Sequence, residues 1–225
     1  MKEGNGKIIA LEGLDGCGKG AQIQKLKEMV GYDDEHRRDV RYRSRRVVFS
    51  REPGGTDFAE QMRTIIKDGM GNLSGRTQLF NFFAARSDHW ERVVVPAVQR
   101  GDLVILDRSD MSTFAFQIYG QKAEGEDLRK FFWTVRDFVY GEYQPDLYIF
   151  IRVSPEECQR RILSALKEKG REVSNFDARD LDFHHAVHIG YTVFAADDRT
   201  ATVNGEQAID LVHRDIRQLI NALLQ

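Results

Sequence analysis

Five short apolar runs limit what this chain can fold into: IIAL at 8–11, VVF at 47–49, LVIL at 103–106, LYIFI at 147–151 and TATV at 200–203. Their apolarity is continuous rather than alternating, the pattern of strands buried on both faces in a parallel sheet. A turn follows each run, and then a helix-compatible stretch. Ser154-Pro155-Glu156-Glu157 marks one helix start, with Ser as N-cap, Pro at the first helical position and Glu three residues beyond the cap. From about Glu206 to Leu224, the residues Ile209, Val212, Ile216, Leu219, Ile220 and Leu223 fall on one helical stripe. Repeated units of this kind, joined by right-handed crossovers, make an α/β sandwich that binds ligands beyond the carboxyl ends of its strands. At 225 residues the chain suits a single domain, 1–225.

The first turn carries chemistry. LEGLDGCGKGAQ, 11–22, matches G-x-x-x-x-G-K from Gly13 to Lys19, but Gly20 and Ala21 stand where a magnesium-binding Ser or Thr is usual. Glycines there let the backbone aim its N–H groups at a polyphosphate. A helix opening near Lys19 adds its positive end, and Lys19 neutralises β/γ charge. The second turn, SREPGGT at 50–56, places Arg51 at a strand end, where a planar guanidinium can grip a phosphate. In the third, LVILDRSD at 103–110, Asp107 resembles a Walker B acid able to hold magnesium directly or through water. Arg108 beside it adds a further phosphate clamp. Lys19, Arg51 and Arg108 thus point to one crevice, with Asp15 and Asp107 available for a metal or for sugar hydroxyls.

Charge argues against polyanionic partners. With 33 basic and 35 acidic side chains the net charge is −2, which gives no reason to expect nucleic-acid or membrane binding. The arginine-rich segment 31–46 reads as a solvated connection, since Asp33, Asp34, Glu35 and Asp39 offset much of its charge. Two cysteines are too few for a disulfide framework and suit a reducing, cytoplasmic setting. His184, His185 and His188 have no acidic partner at ligand spacing, so a solvated or dimer-facing helix surface is expected there.

In order and spacing, EGLDGCGK, REPGGTDFAEQMR, LFNFFAAR, VVVPAVQRGDLVILDR, DMSTFAFQ and PDLYIFIRVSPEECQRR resemble thymidylate kinases, the nucleoside monophosphate kinases that phosphorylate dTMP with ATP. The resemblance runs nearly end to end. It implies a three-layer P-loop NTPase fold: a five-stranded parallel sheet flanked by helices, with a short lid at approximately 167–180. It also implies a homodimer, with Mg-ATP on Gly13, Leu14, Asp15, Gly16, Cys17, Gly18, Lys19, Gly20 and Ala21, flanked by Arg160 and Asn204. On the acceptor side it implies that Arg51, Pro53 and Arg108 surround the dTMP phosphate and that Asp15 accepts from the sugar 3′-hydroxyl. Phe82 would stack on thymine and Arg86 would bond its carbonyl. Ser112, Thr113 and Gln117 would line the base edge, and Phe116 would crowd C2′ against a ribose hydroxyl.

The lid departs from the family wording. No arginine lies between Leu14 and Cys17, and REVSNFDARD lacks the D-R-x-E-like context of lids that supply one, leaving Arg171 as the favoured transition-state residue over Arg179. Asp107-Arg108-Ser109 also resembles deoxynucleoside kinases, and a modified deoxypyrimidine monophosphate is another possible acceptor. Gly20, Ala21 and the altered lid keep a third reading open, a non-catalytic nucleotide-binding protein.

Overall fold

In the computed structural model, which describes residues 4–32, 40–69, 73–121, 126–169 and 180–225, all five apolar runs form strands. They are β1 (Lys7–Glu12), β3 (Arg45–Arg51), β4 (Leu103–Asp107), β5 (Leu147–Arg152) and β6 (Thr200–Asn204). Every pairing among them is parallel. A sixth strand exceeds the expected five. β2 (Arg41–Tyr42) runs antiparallel to β3, and the sheet order is β2-β3-β4-β1-β5-β6. Arg43 and Ser44, both at positive φ, turn this hairpin. Part of the segment read as a solvated connection is therefore a charged edge strand, a form that discourages pairing with other chains.

Register brings the strand ends together. Leu11 and Arg51 both lie beside Asp107, one on each side. The same register puts Val47, Leu103 and Ile105 on one face, against α1 (Lys19–Val30) and α9 (Ile209–Leu223). Tyr148 and Phe150 face α8 (Leu181–Phe194), with Phe150 stacked on Tyr191 at 5.3 Å. Helices thus cover both faces. Val212, Ile216 and Ile220 of the expected stripe are buried, while Ile209 is exposed.

Local chemistry sets the helix boundaries. After α2 (Asp57–Gly69), Ser74 caps α3 (Gly75–His89) by accepting from the Thr77 N–H at 3.2 Å. The helix then passes through a π turn, Trp90–Val94, into α4 (Val95–Gln99). Pro96 lacks the N–H that an α-helical ladder would use there, so the wider turn accommodates it. Trp90, Val94, Ala97 and Val98 are buried within the chain itself, so much of the apolar side of this helix belongs to the core. α5 (Asp110–Thr113) continues through a second π segment, Phe114–Gly120. Gly190 of α8 lets that segment approach closely, because a Cβ there would come within 2.8 Å of the Ala115 Cα. α7 (Pro155–Lys169) starts where Ser154-Pro155 predicts, but the Ser154 hydroxyl donates to Glu206 at 2.7 Å.

A buried ion pair anchors α5. Arg136, from α6 (Glu126–Tyr140), donates to Asp110, which also accepts from the Tyr148 hydroxyl at 2.8 Å. Both charged residues are buried. Arg136→Met leaves buried Asp110 without its cationic partner, so urea unfolding should show a loss of about 3–5 kcal/mol.

Candidate functional site

The expected phosphate loop is present and drawn onto its own lysine. Gly13, Gly16 and Gly18 all take positive φ, a conformation side chains disfavour. Lys19 opens α1 and is buried, with its Nζ donating to the carbonyls of Gly13 at 2.8 Å and Leu14 at 2.9 Å. Gly20 has room around it, since a Cβ there would meet no atom within 4 Å. Cys17 is buried, and its carbonyl accepts from Arg161 at 3.5 Å. Arg161 also donates to the Gly205 carbonyl at 3.0 Å, and so ties α7 to the loop. Its neighbour Arg160 is instead exposed and pairs with Glu157, while Asn204 accepts from the Glu206 N–H just past β6. Arg171, Arg179 and the lid residues 170–179 lie outside the described residues.

Arg108 stands at the centre of the crevice. Its φ of 70° is unusual for a side-chain-bearing residue, and four partners hold it there. Nη1 donates to the Gly13 carbonyl, Ser112 Oγ and the Tyr191 hydroxyl at 2.9–3.0 Å, and Nη2 donates to Asp15. Burial disfavours the charge on Asp15, but Arg108 and Lys19 outweigh it and hold the carboxyl below its ordinary range. Phe116 places its ring 5.4 Å from the Arg108 guanidinium. The Asp107 carboxylate has a buried Oδ1 without a hydrogen-bond partner.

The end of β3 and the helix after it, α2, supply two further cations. Arg51 is half-exposed and donates twice, through Nη2, to the Glu60 carboxylate at 2.9–3.0 Å. Arg63, which sequence reasoning left without a role, donates to the Pro53 carbonyl at 3.0 Å. Burial, and then the nearby charges of Arg51 and Arg108, lower its basicity. Its signal was the final residue of REPGGTDFAEQMR.

Behind the strand ends, polar side chains of α3 meet Thr113 of α5 and Gln117 of the following π segment. Phe83 is packed in the core and Phe80 is exposed, whereas Phe82 is half-buried. Arg86 is buried, with Nε donating to Glu52 at 2.7 Å and Nη2 to Thr113 at 2.9 Å. Its Nη1 is buried without a partner. Glu52 is held from the other side by His89 at 3.2 Å, and His89 in turn contacts Ser50 at 2.7 Å. Gln117 is also buried, and its Oε1 has no partner.

Two features differ from the sequence expectation. His184 is buried and contributes to the positive field at Asp15, and His188 is half-buried, so only His185 is solvated, paired with Glu156 at 3.0 Å. Among the described residues no cluster of three metal-binding side chains occurs. Glu12 is a further site residue, signalled in the sequence only as a charge at the end of an apolar run. It accepts from the Ser109 N–H at 2.6 Å and from the Ser112 hydroxyl.

A phosphate loop at the head of a doubly covered parallel sheet, faced by arginines from two neighbouring strands, defines a P-loop phosphotransferase of the nucleoside monophosphate kinase class. The thymidylate kinase family model matches residues 11–216. Thymidylate kinase of Gluconobacter oxydans (strain 621H) is 31% identical over 223 residues, 98% of this chain and 97% of that one. Thymidylate kinase of Baumannia cicadellinicola subsp. Homalodisca coagulata is 32% identical over 222 residues, 97% of each. The crystal structure of thymidylate kinase from Ehrlichia chaffeensis shares the fold, with a TM-score of 0.69 at 23% identity over 96% of this chain and 99% of that one. This chain belongs to the thymidylate kinase family. No helix among the described residues is long and apolar enough to cross a membrane.

Burial pushes the Glu12 carboxyl from 4.5 up to about 7, against the opposing Ser112 hydrogen bond and Arg108 charge. A carboxyl raised in the folded state favours folding while protonated, so its contribution falls as pH rises from 4.5 to 7. Urea unfolding across that range should therefore show Glu12→Gln gaining up to about 3 kcal/mol relative to wild type.

Proposed function

We propose that this chain transfers the γ-phosphoryl group of ATP to dTMP, giving ADP and dTDP. The observation that carries the reading is the joining of a phosphate crevice to a buried guanidinium with one unpaired donor, Arg86 Nη1. The dTMP phosphate is already an anionic nucleophile, so the protein needs no catalytic base; it must align two anions and neutralise charge between them. Lys19 and the N-terminus of α1 hold the ATP phosphates, with Arg160 and Asn204 on the ATP side. Arg51 and Arg108 clamp the acceptor phosphate beside Pro53, and Asp15 accepts from the sugar 3′-hydroxyl. Phe82 stacks on the base, Arg86 donates to its carbonyl, and Ser112, Thr113 and Gln117 line its edge. Phe116 crowds C2′ and so favours deoxyribose. Arg171, in a lid at 167–180, supplies the transition-state contact.

Magnesium fits the residues present: the unpaired Asp107 Oδ1 is an oxygen donor, and Gly20 leaves space for the waters a small dication retains. Bound there, it would neutralise charge on the ATP oxygens. Phe80 and Phe138, both exposed, support a homodimer, and two free thiols suit a cytoplasmic protein.

Coupled ADP release with dTMP, dUMP, dCMP, dGMP, AMP and thymidine tests the reading. Turnover should be strongest with dTMP, and no turnover with any acceptor sinks it. Arg51→Ala should raise the KM for dTMP about tenfold to a hundredfold, the worth of a hydrogen bond to a charged group. An unchanged KM removes the phosphate-clamp assignment.

Gly20→Thr adds the missing hydroxyl where there is room for it. Titrating magnesium at fixed ATP should show half-maximal rate at a lower metal concentration than in wild type.

A further inference from the structure

We propose that Gln78, a residue outside the transfer chemistry, fixes which way round the Gln117 amide faces the acceptor base. In doing so it makes the site select a carbonyl–N–H edge over an amino–N edge. The proposal rests on the dTMP reading above.

Gln78, Phe82 and Arg86 recur every fourth residue and so share one face of α3. Opposite them, Thr113 ends α5, Gln117 lies in the π segment and Gln121 caps it. Two hydrogen-bonded rungs join these faces. Arg86 Nη2 donates to Thr113 Oγ1 at 2.9 Å, and Gln117 Nε2 donates to Gln78 Oε1 at 3.2 Å. Phe82 lies one helical turn from each rung.

The orientation of both amides follows from one backbone carbonyl. Gln78 Nε2 donates to the Leu73 carbonyl at 2.9 Å, and a carbonyl can only accept. Gln78 must therefore turn Oε1 toward Gln117, and Gln117 must answer with Nε2. Gln121 Nε2 also donates to that oxygen, at 3.3 Å. What remains at Gln117 is a buried acceptor, Oε1, without a partner. At the other rung the remainder is a buried donor, Arg86 Nη1.

One free acceptor and one free donor, a turn either side of Phe82, match a pyrimidine dione. Thymine offers a C4 carbonyl to the donor and an N3–H to the acceptor. Cytosine offers an amino group and a lone pair at those positions, the reverse polarity. A cytosine would leave both protein groups unpaired, and buried polar groups left unpaired are the strongest source of rejection. If Gln117 could turn over, it would present N–H₂ and half of this discrimination would be lost.

The test compares kcat/KM for dTMP and dCMP in wild type, Gln78→Met, Gln78→Glu and Gln121→Leu. Met matches the volume of Gln but accepts no hydrogen bond, so the dTMP-to-dCMP ratio should fall about tenfold, the effect of one hydrogen bond. The loss should lie in KM rather than kcat, because base contacts are equal in ground and transition states. Gln78→Glu keeps an acceptor for Gln117 and should retain the wild-type ratio. Gln121→Leu leaves the Gln78–Gln117 bond in place and should retain it too. Should Gln78→Met fail to fold by circular dichroism, Gln78→Leu carries the same comparison. A wild type that does not use dTMP defeats the parent reading. A wild type that does, with the ratio unchanged in the apolar variant or equally lowered in Gln78→Glu, overturns the inference.

Discussion

The site depends on one cation, Arg108. Its guanidinium reaches the phosphate loop at Gly13 and Asp15, the α5 region at Ser112, and α8 at Tyr191. Three segments far apart in sequence therefore meet on a single planar group, beside the buried Glu12 carboxyl that also holds Ser109 and Ser112. A fork of fixed N–H directions suits such a junction better than an ammonium would, because each donor is committed to its own direction. The left-handed backbone at Arg108 is the local cost of presenting the fork where β4 ends.

Alternation along β3 links the two halves of the crevice. Arg51 faces Glu60, while its neighbours Ser50 and Glu52 face α3, contacting His89 and Arg86. One strand end thus organises both the exposed Arg51–Glu60 pair and the buried Glu52–Arg86–His89 network. A displacement of β3 would register in both at once. Glu52 is flanked by Arg86 and His89, which makes its burial tolerable and leaves Arg86 with one donor to spare.

Sequence patterning carried the sheet because parallel strands are buried on both faces and so read as continuous apolar runs; IIAL and LYIFI are among the most buried segments of the chain. Glycine spacing made the phosphate loop legible, since positive φ at Gly13, Gly16 and Gly18 is a local requirement. Elsewhere the partners are remote. Glu12 meets Ser109 only through the β1–β4 register, and Arg63 meets Arg51 and Arg108 only once α2 is folded against β3. Whether Arg160 or Arg161 touches the loop is decided by a rotation of about 100° along α7, which polar neighbours on both sides do not encode. Strand β2 is two residues long, Arg41–Tyr42, too short to show a strand pattern. The first π segment follows from the missing Pro96 N–H and the second from close packing against Gly190 of α8, neither of which shows in apolar periodicity.

If Arg51 clamps the acceptor phosphate as proposed, its pairing with Glu60 makes that carboxylate a stand-in for the incoming anion. An arriving phosphate would have to evict it, so the affinity gained there is a difference between two anions. Rejection of uncharged look-alikes is then built into the ground state, because a nucleoside without a phosphate brings nothing able to make Glu60 let go.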